Sequence, residues 1–80
     1  MSDERPRAID LALDDHWDEA HRIVQRYEED AVAAWIHAVL HKIEGDLSNS
    51  RYWYQRAGKM EHAEREPVAE LREIRATLEE

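Results

Sequence analysis

The chain has 80 residues, a formal net charge of −8 and no cysteine, which bounds it to one domain and excludes disulfides, thiolate zinc sites and cysteine nucleophiles. With 19 acidic residues against 11 basic ones, neither nucleic acid nor an anionic membrane surface is expected as a partner, since both need basic patches. The longest mostly apolar run, residues 31–40, is too short to cross a bilayer and is broken by His37.

No basic segment followed by an apolar run opens the chain, so no signal peptide is expected, and the lack of cysteine fits a reducing, cytoplasmic setting. Abundant Glu, Arg and Ala with only 2 Gly favour helices. A domain this short hides only about 60% of the surface that its unfolded chain exposes, so its core is marginal.

In chain order, residues 1–7 are polar and contain Pro6, which predicts a flexible N-terminal arm ahead of a single helical domain over residues 8–80. Ile9, Leu11 and Leu13 alternate in a strand-like way. With no partner strand available, residues 8–13 are expected as a short helical turn or an extended strap. Asp14 and Asp15 signal a helix start, with Asp15 as cap, and a helix is predicted over residues 16–28 with Trp17, Ala20, Val24 and Tyr27 on its inner face.

Asp30 is expected to cap a second helix over residues 31–44, ended by Gly45. Val32, Trp35, Ile36, Val39, Leu40 and Ile43 cover well over half of its circumference, so it should be the central, buried helix. Asp46 or Ser48 is expected to cap a third helix over residues 49–57, stopped by Gly58, with Ser50, Trp53, Tyr54, Ala57 and Met60 facing inward. Residues 59–66 read as a loop. Pro67 suits the first turn of a last helix over residues 67–78 with Val68, Leu71, Ile74 and Leu78 inside. The expected core is Trp17, Ala20, Val24, Trp35, Ile36, Val39, Leu40, Ile43, Trp53, Tyr54, Ala57, Leu71 and Ile74.

Ser50, Tyr54 and Ala57 place a small residue, an aromatic four later and another small residue on one helix. This order resembles the second helix of a tetratricopeptide repeat, over about one repeat's length. The preceding helix departs from that pattern, carrying His37 and His41 around the small Ala38 where the family prefers bulky apolar and aromatic residues. The string HAVLHKIEGDLSNSRYWYQRAG also resembles one found in small bacterial proteins of uncharacterised function, which implies no activity. The fold expected is all-α: four helices packed as tetratricopeptide-like antiparallel hairpins. The resemblance implies binding of a peptide or protein segment, although a fold does not fix a function.

On a helical wheel of residues 31–44, Asp30, His37, His41 and Glu44 fall within about 60° of one another. The plainest account of such a stripe is a helix face turned to water. The functional alternative is a binding groove in which His37, His41, Glu44, Tyr52 and Arg56 hold a peptide, a basic protein partner or a second copy of the chain; Tyr and Arg are enriched at binding hot spots. A rival reading takes His37 and His41, one turn apart, with Glu44 as metal ligands. The Glu that follows the first His in the metalloprotease helix is missing. No nucleophile elbow or glycine-rich phosphate loop is present. No cofactor and no catalytic residue are therefore assigned, and the non-catalytic interaction module is the favoured expectation. Among the other histidines, His16 falls in the first turn of its helix, beside the dipole end that disfavours an imidazolium, His21 is read as a boundary residue, and His62 lies in the loop with no role assigned.

Overall fold

The computed structural model describes residues 3–79, which are helical with no strand among them. Five α-helices follow one another: α1 Arg5–Leu13, α2 Trp17–Gln25, α3 Ala31–Glu44, α4 Leu47–Ala57 and α5 Pro67–Leu78, with a 3-10 turn Met60–His62 between the last two. No helix among the described residues is long and apolar enough to cross a membrane.

The first helix corrects the expected arm and strap. Met1 and Ser2 lie outside the described residues, but Arg5, Pro6 and Arg7 form the first turn of α1. Pro6 belongs there, because a first-turn N–H has no helical partner to lose. Ala8 and Ile9 are fully buried, with Leu11, Ala12 and Leu13 packed at the core edge. The strand-like alternation therefore reports two sides of a helix. Asp15 adopts a left-handed conformation, φ 67°, between α1 and α2, a role that Asp tolerates. The residue ahead of α2 is His16, which makes no side-chain cap bond, so Asp15 is a turn residue and not the expected cap. The helix is also shorter than expected. After Gln25 the chain turns, and Tyr27 is 37% exposed, with its hydroxyl on Glu4.

The middle of the chain follows its local signals closely. Asp30 accepts a hydrogen bond from the Ala33 amide at 2.8 Å, satisfying a first-turn donor of α3. Gly45 ends α3 at φ 88°, and Gly58 ends α4 at φ 71°, both in the region where a Cβ is penalised. Every residue from Ala33 to His41 is buried, so α3 is enclosed on all sides by α1, α2, α4 and α5. Asp46 caps α4 through the Asn49 amide, 3.3 Å. The Ser50 hydroxyl donates to the Ala38 carbonyl at 2.8 Å, and Trp53 stacks on His37. Later residues of α4 thus meet earlier residues of α3, and the two helices run antiparallel.

Besides Tyr27, three apolar residues expected inside are on the surface: Ile43, Met60 and Val68 are 42%, 44% and 42% exposed. Ile43 lies in the last turn of α3, past the buried run that ends at His41. Met60 begins a 3-10 turn beyond the end of α4.

On α5, Leu71 and Ile74 are buried as expected, and so is a residue with no apolar signal, Glu70, whose side chain is fully enclosed. Its carboxylate accepts from Trp35 Nε1 at 2.8 Å, the Tyr54 hydroxyl at 2.7 Å and Lys42 Nζ at 2.6 Å. Burial, then the Glu70 carboxylate, hold the Tyr54 phenol well above its ordinary value. Arg75 pairs with Asp10, tying α5 back to α1.

Candidate metal centre

Two helices deliver three imidazoles to one place. His37 and His41 lie one turn apart on α3, and α2 crosses them with His21. The position of α2 is set by its apolar face, where Ala20, Ile23 and Val24 are buried, and by Trp17 Nε1, which donates to the Leu40 carbonyl at 2.6 Å. The Trp17 indole stacks on the His21 ring at 4.6 Å between centroids, as expected of residues four apart on a helix. From the other side, α4 lays Trp53 flat on His37 at 3.9 Å and 16°. The three histidines are thus held between two indole rings.

Within the cluster, the Nε2 atoms of His21 and His37 are 3.1 Å apart. One nitrogen from each of His21, His37 and His41 lies within 4.8 Å of the other two. His41 Nδ1 is 2.6 Å from Glu44 Oε1. Glu44 accepts from Nδ1, the contact by which a carboxylate orients a metal-binding histidine and leaves Nε2 as the nitrogen turned to an ion.

His37 Nδ1 is buried and has no hydrogen-bond partner, which costs about 1–3 kcal/mol. Burial above all, then His21, His41 and Arg56, push the His37 pKa down from 6.5 to about 3. His21 is also shifted downward, by burial first and His41 second, with Glu44 and Asp18 opposing. At neutral pH both rings are neutral, and across the 3.1 Å contact one Nε2 donates to the other; a change of tautomer makes both lone pairs available to an ion.

The expected groove does not form as drawn. His37 and His41 are 3% and 6% exposed, so the stripe is neither a solvated face nor the lining of an open cleft. Asp30 leaves the set, since it caps α3 and faces Arg5. Tyr52 is half exposed and meets Trp53 edge-on at 5.2 Å. Arg56 lies over the Trp53 ring at 5.0 Å and donates to the Tyr52 hydroxyl at 3.2 Å. These two residues form a layer outside Trp53 and do not reach the histidines.

Of the expected metal set His37, His41 and Glu44, the two histidines converge. Glu44 supports His41 from behind, and the third converging nitrogen comes from His21. The signal for His21 was present in the sequence as Trp17-x3-His21, a second aromatic–imidazole face, but its partner helix could not be assigned from spacing. His41, Glu44 and Asp46 make a second, more exposed grouping on the Nδ1 side of His41. His16 is exposed beside Asp14 and Glu19, and His62 packs near Trp35 at 5.0 Å; neither approaches the cluster. No family model, curated protein or solved structure matches this chain.

Proposed function

We propose that this protein binds a divalent transition-metal ion through His21, His37 and His41, with Glu44 orienting His41. The observation that carries the reading is the convergence of three imidazole nitrogens within 4.8 Å of one another. Two ligands of a tetrahedral zinc ion at about 2.0–2.1 Å from the metal are about 3.3 Å apart, close to the 3.1 Å that separates His21 Nε2 from His37 Nε2. Neutral imidazoles suit zinc, copper and nickel better than magnesium or calcium, which prefer oxygen. Calorimetric titration of the metal-free chain with zinc, together with thermal melts, tests the reading. Saturable binding of one ion with a raised Tm is expected, with binding lost in the paired variant His21→Ala/His37→Ala. No heat and no change in Tm on adding zinc would refute it.

A second reading keeps the tetratricopeptide-like interaction module and moves its contact surface. It is supported by the antiparallel α3–α4 pair, in which Ser50, Tyr54 and Ala57 are buried as the resemblance implies. Leu47 and Met60 are exposed at a cleft of about 570 Å³, which Arg51 and Glu64 also line. The net charge of −8 favours a basic amphipathic peptide as occupant. Anisotropy with a labelled peptide of that kind should show binding that weakens with salt and is lost in Leu47→Glu. Equal binding by the variant would end this reading. In either reading the cysteine-free composition fits the cytoplasm.

A further inference from the structure

Building on the metal reading, we infer that the ion held by His21, His37 and His41 keeps a fourth coordination position that takes a small exogenous anion. Among the described residues, the group that converges on this point has three members, all imidazoles, whereas zinc and cobalt in such sites are four-coordinate.

Glu44, the nearest carboxylate, is not free to be the fourth ligand. It is bound 2.6 Å from His41 Nδ1, and the two nitrogens of an imidazole point to opposite sides of the ring. Turning Glu44 to the ion would strip His41 of the acceptor that fixes its tautomer. Asp46 groups with Glu44 on that same side and caps α4 through the Asn49 amide.

Charge gives the chemical class. Three imidazole ligands carry no charge of their own, so in a site walled by Trp17 and Trp53 the ion's double positive charge is offset only in part, by Glu44 behind His41. An uncompensated charge away from water is costly, so an anion is favoured over a neutral molecule. Access gives the direction. His37 and His41 are buried, whereas His21 is only partly so, so an anion would reach the cluster past His21, on α2. A site of three protein ligands with one exchangeable position is the arrangement of reactive zinc centres, whereas structural sites are closed by four protein ligands.

The test uses the full chain loaded with cobalt(II), whose visible absorption reports coordination number and ligand exchange. Sodium azide is then titrated in at fixed ionic strength. The expected result is a saturable shift of the cobalt bands, absent when cobalt is free in the same buffer and reversed on dialysis. A loaded protein whose bands do not move at saturating azide would overturn the open position while leaving metal binding intact. Failure of cobalt and zinc alike to bind would overturn both.

Discussion

Replacing Glu70 by Gln keeps the shape of the side chain and removes its charge, which makes it a direct probe of what holds α5 in place. The carboxylate is fully enclosed and accepts from Trp35, Tyr54 and Lys42. The Lys42 side chain is itself only 10% exposed. Removing one partner of a buried ion pair costs about 3–5 kcal/mol, because the other charge is left uncompensated. The lower end applies here, since Lys42 Nζ retains the carbonyls of His62 and Arg65 at 3.2 and 2.7 Å, and the Tyr54 hydroxyl can turn to accept from the new amide. We expect a loss of about 3 kcal/mol against a total of about 4–12 kcal/mol for a chain this long. Urea unfolding followed by circular dichroism should show a lower midpoint at unchanged slope, and Tm should fall by about 12–24 °C. The double variant Lys42→Met/Glu70→Gln should recover part of the loss, because it leaves no stranded charge while the amide oxygen still accepts from Trp35 and Tyr54. A single-variant loss below about 1 kcal/mol, outside the range expected for a buried pair, would refute the reasoning.

Three further outcomes follow from individual positions. His37 stays neutral in the folded chain down to about pH 3 and titrates near 6.5 when unfolded. Between those values the unfolded chain binds the extra proton, so stability should fall with decreasing pH by up to about 1.4 kcal/mol per pH unit. The urea midpoint of the metal-free protein should fall relative to that of His37→Phe as pH drops from neutral; a pH-independent difference would count against the buried neutral imidazole. Gly45→Ala meets no atom within 4 Å but must hold φ 88°, so it should lose about 1–2 kcal/mol from backbone strain alone, read as a Tm shift. Trp53→Ala should cost about 3–5 kcal/mol, whereas Tyr52→Ala, one position earlier and half exposed, should cost less than about 1 kcal/mol; equal effects in denaturant melts would contradict the layering of the two rings.

What was readable in the chain was local. Asp30 and Gly45 bracket α3 because an Asp side chain reaches the amide three residues on and a glycine reverses the backbone, and neither effect needs a distant partner. The apolar circumference of residues 31–44 likewise announced a central helix, since a helix apolar on most sides has to be covered on most sides. Alternation misled at residues 8–13, where period two and a partly buried helix place the same Ile and Leu on similar steps. The Trp17-x3-His21 pair and the His37-x3-His41 pair were each visible, but their meeting depends on the angle at which α2 crosses α3. That angle is set by the burial of Ala20, Ile23 and Val24 in the shared core and by the Trp17–Leu40 hydrogen bond. The burial of Glu70 was equally invisible, because a carboxylate enters a core only where three donors from other helices already wait. Helix identity and helix ends came from neighbours in sequence. The imidazole cluster and the enclosed ion pair came from packing, in which residues far apart along the chain remove one another from water.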